Sequence, residues 1–264
     1  MSSAVEEQVL YQIENAPIRE YPYAHIYVEN VFPDDFYAKL RANWPDQSAM
    51  ISIADTGRVA KDMYRERFVM PFTPAEIDKL REDRRPFWKE LAAWLITQRF
   101  LTALIDKFEP YVKERFGDEL YRCTFENDSL IVRDLTNFKI GPHTDAPHRL
   151  LSLLFYCPDD DALKHLGTSL YVPRDPAFRC LGGPHYPHNL FHRVRTMEYK
   201  PNSLFAFVKT DHSFHGVEPI GDHDVLRDIL LYDIRVTRPQ AEPPRPPELS
   251  FGISMLKRLF GGRN

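Results

Sequence analysis

From residue 120 onward the chain is a succession of short apolar runs broken by turn residues. Residues 130–135, 150–156, 169–172, 196–199, 203–208, 216–220 and 229–236 are rich in β-branched and aromatic side chains, and each is too short for a helix. So many short strands behind a helical block predict an α+β, mainly β fold. The strands are expected to form a sandwich or barrel that carries an N-terminal helical layer. Too few helices lie between the strands for a parallel βαβ sheet. Residues 174–193 hold Pro176, Gly182, Gly183, Pro184 and Pro187, and predict a long loop.

The N-terminal part reads differently. Residues 25–28 alternate as a strand does. Phe32, Phe36, Leu40 and Trp44 then recur every four residues behind Pro33-Asp34-Asp35, which gives one apolar helical face ended by Pro45. Residues 46–73 are polar, with Arg58, Lys61, Arg65 and Arg67; they read as a solvated loop or edge strand, with a flap over a site as the alternative. Across 86–116, Phe87, Leu91, Trp94, Leu95, Leu101, Leu104, Ile105 and Phe108 approximate a 3.6-residue period, with Pro110 a break or kink and Gly117 the end. Three parts follow: a helical and mixed layer over 1–119 packed on the core, a β core over 120–238, and a proline-rich linker with a short amphipathic tail over 239–264. The tail is expected to pack on its own domain or on a twin subunit, and a homodimer is compatible with the aromatic helical block.

Charge and cysteine content narrow the class. A net charge of −4 is unlike the basic balance of a nucleic-acid binder. Cys123, Cys157 and Cys180 have no CxxC spacing, which favours a reducing compartment. The chain shows no signal-peptide pattern and no apolar run near the roughly 18 residues that span a bilayer. These features predict a soluble, cytoplasmic protein.

Nine of the ten histidines fall between His143 and His223. His143 and Asp145 are two apart, so in an extended segment both face one side and reach one ion. A third ligand comes from His215, at the start of a strand and followed by Gly216, or from its rival His212. Pro147 breaks the extended geometry before His148. His185, His188 and His192 form a second, weaker metal candidate without thiolates. Two imidazoles and one carboxylate leave three positions of an octahedron open, as in non-haem iron oxygenases, whereas structural zinc sites are closed. Arg227 stands at the entrance of the last apolar strand, twelve residues after His215. Its planar fork suits a carboxylate, either of a ligand or of a protein acid such as Asp224 or Asp228.

GPHTD at 141–145, NSLFAFVKTDHSFHGVEP at 202–219 and the arginine of the next strand together resemble the Fe(II)/2-oxoglutarate-dependent oxygenase superfamily, nearest its prolyl-hydroxylase-like branch. The resemblance spans roughly residues 125–237. It implies a double-stranded β-helix, the jelly roll of cupin-like proteins, with His143, Asp145 and His215 as iron ligands. It further implies Arg227 as the partner of the far carboxylate of 2-oxoglutarate, with Tyr156 assisting. The spacing from His215 to Arg227 is a few residues longer than the usual pattern, and Leu135 and Ile140 stand where relatives often carry a tyrosine. The implied activity is a dioxygenase, a hydroxylase using Fe(II), 2-oxoglutarate and O2, with ascorbate stimulatory. Asp145 favours hydroxylation over halogenation, since halogenases of this type have a small residue there. The substrate is a small molecule or a peptidyl side chain, and Arg133, Asn137, Arg149 and Tyr171 are its candidate contacts. The alternatives are a non-redox cupin-like metalloenzyme, such as an isomerase, and a 2-oxoglutarate-binding sensor or interaction protein.

Overall fold

The computed structural model describes residues 3–61, 63–221 and 224–237. The linker and tail expected over 239–264 lie outside the described residues. Six helices precede the main run of strands: α1 Ala4–Asn15, α2 Asp34–Ala42, α3 Pro74–Ile77, α4 Arg85–Leu95, α5 Gln98–Lys107 and α6 Glu109–Phe116. The strands are β1 His25–Glu29, β2 Ile51–Ser52, β3 Arg67–Pro71, β4 Thr124–Leu135, β5 Ile140–His143, β6 Arg149–Tyr156, β7 Thr168–Pro173, β8 Phe191–Met197, β9 Ser203–Val208, β10 His215–Val217 and β11 Leu226–Thr237.

They form two antiparallel sheets, a seven-stranded one in the order β1-β9-β6-β11-β4-β3-β2 and a four-stranded one in the order β5-β10-β7-β8. This is the expected jelly roll, mainly β with helices added. Three strands from before residue 120 extend the larger sheet at its edges.

The larger sheet is covered on both faces, which explains why β6 and β9 read as nearly unbroken apolar runs rather than as alternations. Leu151, Leu153, Phe155, Leu204, Ala206, Leu230, Tyr232 and Ile234 face the helices, where Trp88, Leu91, Leu95, Phe100 and Leu104 meet them. Leu130, Val132, Tyr156, Phe205, Phe207 and Ile229 face the smaller sheet. Successive residues point to opposite faces, so each strand feeds two cores.

Three boundaries differ from the sequence expectation. The region 86–116 is three helices, not one kinked helix: Thr97 caps α5 by accepting a hydrogen bond from the Phe100 amide (3.2 Å), and Pro110 lies in the first turn of α6 rather than inside a longer helix. The strand expected at 196–199 runs instead from Phe191 to Met197. As the edge of the smaller sheet, β8 exposes His192, Arg193, Val194 and Arg195 and so lacks the apolar signature of a covered strand. β4 begins at Thr124, because its polar first half is held by ladder bonds to β11 rather than by apolar burial. No described helix is long and apolar enough to cross a membrane.

Candidate metal and co-substrate site

β5 and β10 are neighbours in the smaller sheet, and their register sets His143 directly opposite His215. The two rings lie 4.4 Å apart between centroids. Thr144 is turned away from them, its hydroxyl donating to Cys180 O (2.8 Å), so Asp145 returns to the side of His143. His143 Nδ1 hydrogen-bonds Gly141 O and His215 Nδ1 hydrogen-bonds Ser213 O, both at 3.0 Å. Each ring therefore spends its Nδ1 proton on a backbone carbonyl two residues back, which fixes the tautomer and leaves Nε2 free to bind an ion. Asp145 Oδ2 accepts the Ser152 hydroxyl (2.8 Å), and Oδ1 faces His215 Nε2 at 3.8 Å.

One ligand atom from each of His143, Asp145 and His215 lies within 4.8 Å of the others, and this is the metal-capable group found among the described residues. Burial and then the neighbouring His215 hold the His143 imidazole down to about 3, so it is neutral at physiological pH, the form a metal needs. For Asp145, burial works against the charge, but His215, Arg149 and His143 outweigh it and keep the carboxyl below the usual carboxylate range.

Gly216 is required by its neighbour strand. A Cβ there would lie 2.5 Å from Ile140 O and 3.1 Å from Gly141 O, so only glycine lets β10 approach β5 this closely. The group that requires the glycine is the β5 backbone, not the metal ligands.

The triad opens into a cavity of about 510 Å³ between the two sheets. Arg227 lines it and is fully buried. Its Nε donates to Leu166 O and one Nη to Asp134 Oδ2, each at 2.7 Å. The partner acid is thus Asp134, across the ladder on β4, and not Asp224 or Asp228. The other nitrogen, Nη2, is buried without a hydrogen-bond partner among the described residues. Buried guanidinium donors rarely stay unmet, so this one marks a place for an acceptor that the described residues do not provide. Arg67 forks onto the same Asp134 (2.6 and 2.9 Å) and also lines the cavity.

The structure places the other candidates unequally. Tyr156 is buried beside Arg227, whose Cζ lies 5.7 Å from the ring centroid, and its hydroxyl donates to Thr168 Oγ1 (2.8 Å). Arg149 lines the cavity. Arg133 does not: it points to the helical face and forks onto Asp228 at 2.7 and 2.9 Å. Asn137 is an exposed turn residue at φ 72°, away from the cavity. Tyr171 is buried outside it, among Cys180, Phe191 and Phe214, with its hydroxyl on Glu218 (2.6 Å). Arg133 and Tyr171 share one cause, since a residue's face follows from strand register and the sequence does not display which strands pair; Asn137 lies in the turn between β4 and β5. His212 sits against Asp211 rather than the triad. Of the histidines in the long loop, only His185 reaches the triad, its ring 4.5 Å from that of His143 and hydrogen-bonded to Tyr64 Oη. Sequence reasoning named Arg58 and Arg67 only within a loop, edge strand or flap, and did not single out Ser152, Thr168 or Arg235; all five line the cavity. Arg235 had a signal: it is an even number of residues from Arg227 on one strand.

No family model and no curated protein matches the chain. Among solved structures, the non-heme alpha ketoglutarate dependent epimerase SnoN from nogalamycin biosynthesis has a TM-score of 0.50 at 13% identity, covering 98% of this chain and 89% of its own. A Pseudomonas putida prolyl-4-hydroxylase has a TM-score of 0.49 at 14% identity, with 87% and 98% covered. A prolyl 4-hydroxylase from Phytophthora capsici has 0.48 at 13%, with 98% and 76% covered. The likeness is one of fold: this chain shares its jelly roll with 2-oxoglutarate-Fe(II) oxygenases.

Proposed function

We propose that the protein is a non-haem Fe(II)- and 2-oxoglutarate-dependent dioxygenase that hydroxylates an unactivated C–H bond of a small molecule or a peptidyl side chain. The observation that carries this is a pairing within one cavity. A two-histidine, one-carboxylate group with both Nε2 atoms free opens onto the same space as a fully buried arginine with an unmet donor. The donor set is hard and mixed, without thiolates, which suits iron with open positions better than structural zinc.

On this reading His143, Asp145 and His215 hold the ion, and Arg227 takes the far carboxylate of 2-oxoglutarate through Nη2. Tyr156 and Thr168 brace the guanidinium end. Leu154, Val132, Leu231, Phe207 and Val217 wall the space between and keep water from it. When bound, iron and 2-oxoglutarate supply the oxidation: decarboxylation of the keto acid to succinate and CO2, coupled to transfer of one oxygen atom of O2 to the substrate. The protein's part is positioning and exclusion of water.

The test is succinate formation by the purified protein with Fe(II), ascorbate and 2-oxoglutarate, over a panel of amino acids, peptides and sugars, with His215→Ala as control. Succinate that disappears in the variant is the expected result. Turnover with zinc or manganese alone would instead indicate a non-redox metalloenzyme. 2-Oxoglutarate binding without succinate under any condition would indicate a sensor.

A further inference from the structure

The cavity has two charged ends on one sheet face. Along β4 the inward residues run Asp128, Leu130, Val132, Asp134; along β11 they run Arg227, Ile229, Leu231, Asp233, Arg235. The first end is the Asp134 cluster already described, with Arg67 and Arg227. The second lies eight residues further along β11, about 26 Å of strand. There Arg58 forks onto Asp128 (2.7 and 2.6 Å), Arg235 reaches Asp128 at 2.5 Å, and Arg149 pairs with Asp233. Asp145 of the triad faces this second end: its bonding partner Ser152 is in register with Asp233, and Arg149 is in register with Arg235.

Counting charges at each end gives the same result. The first end has two arginines on one aspartate. The second has three arginines, Arg58, Arg149 and Arg235, on two aspartates, Asp128 and Asp233; the third acid that faces it, Asp145, is given over to the metal on the proposed reading. Each keeps one positive charge in excess. Glu126, opposite Arg235 in register, is exposed to solvent and screened. Among the described residues each end also keeps unmet donors, Nη2 of Arg227 at the first and Nε of Arg149 and Nε of Arg235 at the second, where the two Asp233 oxygens lack a hydrogen bond as well. Three guanidiniums held within range of one another repel; burial first, then Arg235 and Arg58, pull the Arg149 guanidinium below its ordinary value against the opposing pull of Asp145 and Asp128. An anion between them would relieve both.

We infer that the substrate to be oxidised is itself an anion, a carboxylate or a phosphate monoester, whose charged group is held by Arg58, Arg149 and Arg235 while 2-oxoglutarate occupies the Arg227 end. This rests on the proposed co-substrate assignment and adds the class of substrate. The arrangement places the reacting part of the substrate between its own charged anchor and the metal triad, so the oxidised carbon lies a short distance from the anion.

The experiment uses the full chain loaded with Fe(II) and saturating 2-oxoglutarate, under nitrogen so that nothing turns over. Hexanoate, hexyl phosphate and hexanamide are titrated at constant ionic strength by calorimetry, with 2-oxoglutarate affinity measured on the same samples. One or both anions should bind at least about tenfold more tightly than the amide, the value of one charge-assisted contact. Whichever anion leads identifies the head group. Arg58→Gln and Arg235→Gln should each erase most of that preference; both side chains are partly exposed, and retained 2-oxoglutarate binding shows that the variant is folded. Equal binding of all three probes, no binding of either anion, or a preference that survives in both variants would overturn the inference while leaving the co-substrate assignment intact. Failure of the wild-type protein to bind 2-oxoglutarate would overturn that assignment, and the inference with it.

Discussion

Arg133-Asp134 on β4 lies antiparallel to Arg227-Asp228 on β11, so the same dipeptide meets itself across the ladder. Neighbouring residues point to opposite faces, and one ion-pair cluster forms on each. The two clusters are built alike. On the cavity face Asp134 takes a fork from Arg67 and a single bond from Arg227; on the helical face Asp228 takes a fork from Arg133 and a single bond from Arg41 (3.1 Å). Their surroundings differ. Arg133 and Arg41 keep 12% and 17% of their side chains exposed, and Arg41 also holds Asp159, so the helical cluster reaches water and is closed by protein acids. Arg227 has no exposed surface and one donor unmet among the described residues. An ion pair that is complete is structural; one that leaves a donor over, dry and facing a cavity, is poised for a ligand.

That contrast breaks most visibly at the two acids. Asp134→Asn would leave Arg227 as a buried, uncompensated charge and should cost about 3–5 kcal/mol of stability. Asp228→Asn leaves arginines that can turn to solvent and should cost less, about 1–3 kcal/mol. Urea unfolding of the two variants side by side measures the difference. Equal losses would mean that the two faces do not differ in their access to water.

The arginines sharpen it. Arg227→Met should weaken 2-oxoglutarate binding on the order of 100-fold with little loss of stability, since Asp134 keeps its fork from Arg67. Arg133→Met should leave 2-oxoglutarate affinity unchanged. Calorimetry on both variants decides it, and an effect of similar size at Arg133 would remove the functional meaning of the face.

A smaller effect is expected at the metal end of the cavity. Gly216→Ala would push a methyl group against Ile140 O and force β10 away from β5, which separates His215 from His143. Metal affinity should fall roughly 10–100-fold, as when an outer partner of a ligand is lost. Titration of Co(II) absorbance would read this directly.

The face of each residue is also where the sequence became illegible. The triad could be read because His143 and Asp145 are local and His215 opens its own strand. The jelly roll could be read because its strands are short, apolar and numerous. Arg133 could not be placed, since its face depends on β4 pairing with β11 nearly a hundred residues later, and one residue of register reverses every side chain. Arg58 and Arg67 sat in a polar stretch whose composition is that of any solvated loop; only the fold brings β3 beside β4 and Arg67 onto Asp134. Thr97 shows the same limit in a helix, because the period continues through the break and only the cap marks it.

Lys209 provides the control that both clusters lack, a buried cation bonded to no carboxylate among the described residues. It is 2% exposed, and its ammonium donates to Thr210 O (2.7 Å) and Thr144 Oγ1 (3.3 Å), neither of them charged. Burial, then the repulsion of Arg115, bring it down to about 8 from an ordinary 10.5, against the pull of Asp145, Cys180 and Asp211. Because the folded value is the lower one, the unfolded chain keeps this proton between pH 8 and 10.5 after the folded chain has lost it. Lys209 therefore penalises folding fully below pH 8, and the penalty fades as pH rises through that window. Lys209→Met removes it at every pH. The stability advantage of the variant, measured by urea unfolding of metal-free protein, should accordingly be larger at pH 7 than at pH 9.5, by on the order of 1–2 kcal/mol. Taking the difference between the two proteins cancels the buried tyrosines, which titrate near the upper end of the same range in the unfolded chain. An advantage that does not change with pH would mean that Lys209 is charge-balanced after all, and that a bonded carboxylate is not what separates a tolerated buried cation from a costly one in this fold.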